Sequence, residues 1–221
     1  MKGCKYGTHR VLEPKGALPQ AAWRIDNTME LYDNEILIDV DTLNIDAASF
    51  TQIKKEAKGD TREIARIMKD IVDKRGKHHN PVTGSGGMFI GQVKAIGPDM
   101  TNIDIKPGDR IASLVSLTLT PLVIEEILEI RQEQDQVKIR GQAILFESGI
   151  YAKLPCDMHP ARALAVLDVA GAPAQTARLV KPGDTVLIIG AGGKSGLLCL
   201  YEAKKRAGVT GKVLGMGHSK A

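Results

Sequence analysis

The chain has 221 residues, 43% hydrophobic, 25% charged and 4% aromatic, enough for one large or two small domains with a core of Val, Ile, Leu and Ala. Its 30 basic and 26 acidic residues leave a net charge of +4 with no long run of one sign, so nucleic acid is not an expected partner. No stretch approaches the roughly 18 apolar residues of a membrane span, and the opening Met1-Lys2-Gly3-Cys4-Lys5-Tyr6-Gly7 has no apolar signal region, which makes a cytoplasmic protein the expectation.

In chain order, Glu35-Ile36-Leu37-Ile38-Asp39-Val40-Asp41 partly alternates apolar and polar residues and predicts a half-buried strand of a barrel. Asp60 and Thr61 offer a helix cap. Ile64, Ile67, Met68, Ile71 and Val72 recur at three- and four-residue spacing, predicting an amphipathic helix near 60–76 that ends at Gly76 and forms a surface insertion. The basic cluster Lys74 to His79 fits the solvated last turn of that helix, where cations suit the dipole; the alternative is a phosphate or substrate patch. The glycine-dense segment Gly84 to Gly97 predicts close backbone approach and then a strand. Lys106-Pro107-Gly108-Asp109-Arg110-Ile111 reads as a turn entering another strand. Short strands continue to about Leu154, with one helix expected from Pro121 to Arg131. Residues 1–158 thus read as a β-barrel domain with helical insertions.

From Pro160 the composition shifts. Ala161 to Ala174 is Ala-rich and helical in propensity, and Lys181-Pro182-Gly183-Asp184 turns into Thr185-Val186-Leu187-Ile188-Ile189, a continuous apolar run suited to a parallel strand covered on both faces. A glycine loop follows, then a helix to Ala207 with Gly208 as its stop, and a second strand over Lys212 to Met216. Residues 159–221 therefore read as one βαβ unit of an α/β domain. Cys4, Cys156 and Cys199 form no CxxC pair, so neither a disulfide framework nor a zinc ribbon is expected, and each reads as a small buried hydrophobe.

A strand, a glycine turn and a helix N-terminus in that order present unpaired N–H groups and the positive end of a helix dipole, which suits a pyrophosphate. Gly190, Gly193 and Gly196 give G-x-x-G-x-x-G, and with Gly192, Lys194 and Ser195 they form the expected dinucleotide-binding set. Gly193-Lys194-Ser195 also invites a triphosphate reading. That fails on register, because the first glycine of a P-loop would fall at Ile188. A purely structural tight turn is the remaining alternative. Where a carboxylate would receive the adenosine ribose, the chain has Gly217-His218-Ser219-Lys220. His218 and Ser219 are neutral or cationic there, so NADP is admitted beside NAD.

Glu35 to Asp46, Gly91-x-Val93-x-x-Ile96-Gly97, Lys106 to Arg110 and Lys181 to Gly196 together resemble the medium-chain dehydrogenase/reductase superfamily. Met1 to Arg10, Asp33 to Asp46, Lys77 to Met88 and Gly215 to Ser219 resemble, more narrowly, the family of L-erythro-3,5-diaminohexanoate dehydrogenases of bacterial lysine fermentation. The resemblance implies an α/β fold in which a GroES-like barrel domain supplies the substrate site and an incomplete Rossmann-type parallel sheet follows. It implies oxidative deamination of a small diamino acid to 5-amino-3-oxohexanoate with NAD or NADP, in a homo-oligomer, dimeric or larger. A complete doubly wound domain would need about 100 more residues, so a truncated chain is expected. Two alternatives stay open: a catalytically silent remnant that binds or self-associates, and a quinone-reductase-like enzyme using NADP.

Zinc-dependent members of the superfamily carry a cysteine at the position aligned with Asp46 and a Gly-His-Glu where this chain has Gly84-Ser85-Gly86. Both ligand positions are lost, and no metal is expected. Oxidative deamination needs a base and a partner for the substrate ammonium. Asp46 is the first candidate, against an ordinary strand-end turn cap. His78 and His79 titrate near neutrality and are candidate bases; as neighbours on an extended segment they point to opposite sides, and a surface or capping role is the alternative for each. Ser85 is a candidate hydrogen-bond donor to substrate or a turn hydroxyl.

Overall fold

In the computed structural model, which describes residues 1–101, 103–155 and 157–217, the chain divides into two units, Met1–Pro160 and Ala161–Ala221. The first opens with a two-stranded ribbon, β1 (Val11–Glu13) against β2 (Arg24–Ile25). Then come β3 (Glu35–Ile45), α1 (Ala47–Glu56), α2 (Thr61–Arg75), β4 (Gly87–Ile96), β5 (Arg110–Ser113), β6 (Leu122–Arg131), β7 (Gln136–Phe146) and β8 (Tyr151–Lys153). Strands β3 to β8 form one antiparallel six-stranded sheet in the order β6-β7-β3-β4-β5-β8. Its two ends, β6 and β8, are not paired with each other among the described residues, so the sheet is open and not the closed barrel expected.

Strand β3 is longer and more buried than its alternation implied. Ile36, Ile38 and Val40 enter the main core, while Leu37 packs on the other face with Ile144 and Phe146. An irregularity between Val40 and Thr42, against both β4 and β7, then flips the parity, so Leu43 and Ile45 rejoin the main core. A bulge of this kind reverses which residues face inward.

Helix α2 begins at the expected cap, with Asp60 accepting from Glu63 N, and ends at Gly76, whose φ of 72° is left-handed. Its apolar face of Ile64, Ile67, Met68, Ile71 and Val72 joins the main core while Arg66, Asp70 and Lys74 lie at the surface; Phe50 and Ile53 of α1, a helix the periodicity did not suggest, and Ala57 just after it join the same core. The segment expected as a helix over Pro121–Arg131 is strand β6. Register shifts against β7 between Ile124 and Glu126 and between Ile127 and Glu129 break its alternation, leaving apolar residues at helix-like spacing. Beside the core a buried ion pair ties the short 3-10 turn Thr8–Arg10 to β3: Arg10 Nε and Nη2 donate to the two Glu35 carboxylate oxygens, each at 2.7 Å.

The second unit contains α3 (Pro160–Leu167), α4 (Gly171–Leu179), β9 (Thr185–Ile189), α5 (Lys194–Ala207) and β10 (Lys212–Met216). The Ala-rich stretch is two helices, and β9 and β10 pair in parallel from Thr185↔Lys212 to Ile189↔Met216. The expectation of cover on both faces fails. Helix α5 buries Cys199, Ala203 and Ala207 and covers one face, while Leu187, Ile189, Leu214 and Met216 are exposed. No helix of the described residues is long and apolar enough to cross a membrane.

Candidate functional site

The first cluster lies where β3 ends and β4 begins, since Ile45 pairs with Gly87 across the sheet. Asp46 stands at the N-cap of α1 without capping it. Its Oδ2 accepts from Gly86 N at 2.9 Å, and its own N donates to Gly86 O at 3.2 Å. The two stretches aligned with lost metal-ligand positions are therefore in direct contact, joined by hydrogen bonds. Among the described residues Asp46 Oδ1 accepts no hydrogen bond, and no three His, Cys, Asp or Glu side chains converge as a metal would require.

Lys74 and Arg75 form the basic last turn expected of α2, with Lys74 exposed, but beyond Gly76 the chain turns inward, which corrects the reading of Lys77 to His79 as part of a solvated helix end. Lys77 is fully buried and its Nζ donates to Pro19 O at 2.5 Å and Gln20 O at 3.3 Å. Loss of water, then the nearby Arg75 charge, pushes its pKa down to about 8. His78 is also fully buried, against the surface role weighed for it, and neither ring nitrogen finds a partner among the described residues. Burial pushes its pKa down to about 4, so the ring is neutral at pH 7. His79 is half-buried, its Nδ1 likewise unpartnered. Burial, then the positive charges of Arg75 and Lys77, lowers it to about 4 as well. Arg75 Nη1 donates to His79 O at 2.7 Å.

Asn80, which sequence reasoning did not single out, organises the next turn. Its buried Nδ2 donates to Ser49 Oγ and Gln52 Oε1 of α1, at 2.9 and 2.8 Å. Its Oδ1 accepts from the N–H groups of Val82 and Thr83, an Asx turn of the kind an Asn-Pro dipeptide signals. Ser85 closes that turn: its O accepts from Asn80 N, and its Oγ bonds Thr83 Oγ1 at 3.0 Å. A Cβ on Gly86 would lie 2.9 Å from both His78 O and Thr118 N, so only glycine lets these three segments meet. Asp46, His78, Ser85 and Gly86 thus belong to one neighbourhood. Cys4, expected as a buried hydrophobe, is half-buried, and hydrogen bonds from the Thr8 side chain and the Tyr6 N–H lower its thiol pKa.

The second cluster is the glycine loop between β9 and α5. Gly190 has φ 80°, the left-handed turn residue. Gly192 meets nothing within 4 Å at its Cβ position, and Gly193 only Gly190 O at 4.0 Å, so this side of the loop leaves room for close approach. A Cβ on Gly196 would collide with Gly190 O and lie 2.6 Å from Ala191 Cα; its absence lets helix and loop pack. These are the turn, approach and packing roles of a dinucleotide loop. Gly190 N and Ala191 N both donate to Met216 O at 2.9 Å, tying the loop to β10. Gly193 caps α5 without a side chain, and Lys194 and Ser195 open the helix, leaving first-turn N–H groups to an anion. His218, Ser219 and Cys156 lie outside the described residues.

A family model described as the L-erythro-3,5-diaminohexanoate dehydrogenase N-terminal domain matches residues 9–155. An L-erythro-3,5-diaminohexanoate dehydrogenase of Acetoanaerobium sticklandii is 65% identical over 98% of this chain and 63% of its own length. One of Fusobacterium nucleatum subsp. nucleatum is 63% identical over 97% of this chain and 63% of its own. The chain thus spans 63% of the length of the curated relatives it matches. Among solved structures, the CurF ER cyclopropanase from the curacin A biosynthetic pathway superposes with a TM-score of 0.50 over 94% of this chain and 53% of that one, at 13% identity, a likeness of fold alone.

Proposed function

The chain belongs to the L-erythro-3,5-diaminohexanoate dehydrogenase family, and from that premise we propose that it serves the oxidative deamination of L-erythro-3,5-diaminohexanoate to 5-amino-3-oxohexanoate. In this reading the first unit is a GroES-like substrate domain and the second the opening part of a Rossmann-type domain. The observation that carries the reading is the glycine loop, whose Gly190, Gly192–Gly193 and Gly196 divide the turn, approach and packing roles at the mouth of a parallel strand. NAD or NADP would lie with its pyrophosphate against the backbone of Gly192 and Gly193 and the N–H groups of Lys194, Ser195 and Gly196. Gly217-His218-Ser219-Lys220 carries no carboxylate, which admits NADP beside NAD. The chemistry a bound nicotinamide supplies is hydride acceptance from C3, after which water adds to the C3 iminium and ammonia leaves.

The chain's own residues handle protons and charge. Asp46, half-buried with one carboxylate oxygen held by Gly86 and the other open, pairs with a substrate ammonium. His79, the half-buried member of the pair, supplies the neutral base, since burial and the charges of Arg75 and Lys77 keep its ring unprotonated at pH 7, while the fully buried His78 stands behind it. Ser85 donates a hydrogen bond to substrate at the rim. The assembly is a homo-oligomer in the cytoplasm.

The test is incubation of the chain with L-erythro-3,5-diaminohexanoate and NAD or NADP, following cofactor reduction and ammonia together. The two should appear in equal amounts, and Asp46→Asn should raise KM for the diamine. Cofactor oxidation by a quinone in place of amine-dependent reduction would overturn the assignment. A second reading, a chain that binds without turnover, predicts cofactor or substrate binding with no reduction.

A further inference from the structure

A groove of about 460 Å³ runs along the outer side of α2, within the size range of small-molecule sites. Its lining includes the apolar Ile67, Ile71 and Val82 and Trp23, the only tryptophan of the chain. The backbone of Trp23 is clamped, its N–H donating to Glu13 O at 2.7 Å and its O accepting from Arg75 Nε at 3.0 Å, yet its side chain is 50% exposed. An anchored, half-exposed indole beside apolar side chains is a surface prepared for an aliphatic chain or a cation.

The charges around the rim differ in how far they are neutralised. Arg66 is held by Glu63, at 2.5 and 2.9 Å, and by Asp70 at 2.8 Å. Glu56 is bound by the neutral Gln52 amide at 2.7 Å, and among the described residues no cation lies within ion-pair distance of it. Lys74 reaches only to 3.9 Å from Asp70, a carboxylate already engaged by Arg66. The groove therefore offers Glu56, a carboxylate with no ion-pair partner among the described residues, and two cations with spare capacity: Lys74, weakly held, and Arg75, which donates only to the Trp23 and His79 carbonyls.

We propose that this groove is a second binding site, distinct from the Asp46 cluster, for a free aliphatic amino acid whose ammonium and carboxylate stand at opposite ends of the chain. The ammonium lies against Glu56 and the Trp23 face, the methylenes on Ile67, Ile71 and Val82, and the carboxylate against Lys74. The inference does not depend on the proposed reaction. Gln52, which holds Glu56, also accepts from Asn80, so an occupant would also steady the 80–85 turn from outside.

Trp23 makes the test direct. Titration of the chain with 6-aminohexanoate, read by tryptophan emission, should give a saturable change with a dissociation constant on the order of 1 mM. Hexylamine and hexanoate, each with one end, should bind more weakly. Glu56→Gln and Lys74→Gln, both surface changes, should each weaken binding about two- to fivefold with unchanged thermal melts. Absence of a saturable change, equal binding of either one-ended compound, or affinity unaltered in both variants would overturn the proposal. The last of these would assign the ligand to the Asp46 cluster instead.

Discussion

His78→Leu should make the protein less sensitive to acid without destabilising it at neutral pH. The folded-state pKa of His78 is lowered from 6.5 to about 4, chiefly by burial. The unfolded chain therefore binds a proton between those values that the folded chain refuses, and stability falls as pH drops through that window. From pH 7 to pH 5 the loss attributable to this one ring is about 2 kcal/mol, rising to about 3 kcal/mol at pH 4. The leucine removes the titrating group and two buried nitrogens that lack protein partners, at similar volume, so stability at pH 7 should hold or rise. Urea unfolding monitored by Trp23, which lies in the first unit, at pH 7 and pH 5, gives the comparison. The wild type should lose about 2 kcal/mol more than the variant over that interval. Equal losses in both would refute the account of a ring kept neutral by burial.

Gly196→Ala would drive a Cβ into Gly190 O and Ala191 Cα, costing about 1–3 kcal/mol and displacing the loop; a thermal melt and a cofactor titration should both show the loss. Arg10→Met takes the guanidinium from the buried Glu35 carboxylate and leaves it the His9 ring and the Tyr32 N–H, and urea unfolding should show a deficit of about 3–5 kcal/mol. Asn80→Ala removes the bonds to Ser49, Gln52, Val82 and Thr83. It should cost about 2 kcal/mol and accelerate amide exchange at Val82 and Thr83, with α5 unaffected.

What could be read from the chain was local. Asp60, five apolar residues at helical spacing and Gly76 define α2 within a single segment, and Thr185–Ile189, the glycine loop and Lys212–Met216 define the βαβ unit in the same way. Strand β6 could not be read, because its two register shifts are set by its partner β7. The burial of Lys77 and His78 was hidden for a related reason. Carbonyls of Pro19 and Gln20, almost sixty residues earlier, receive the Lys77 ammonium, and nothing in Lys77-His78-His79 announces them. Asp46 and Ser85 were found through the superfamily resemblance. Asn80, which ties the 80–85 turn to α1, was signalled only by its Asn-Pro turn.

The proposed activity depends on the anion-binding character of the glycine loop. Gly193→Asp places a good N-cap residue on α5 at a position with open space, so folding should persist while a negative charge occupies the pyrophosphate position. Titration with reduced nicotinamide dinucleotide, followed by cofactor fluorescence, should show saturable binding to the wild type and at least about tenfold weaker binding to the variant, with an equal or higher melting temperature. Undiminished binding to Gly193→Asp, or no binding to the wild type, would contradict it.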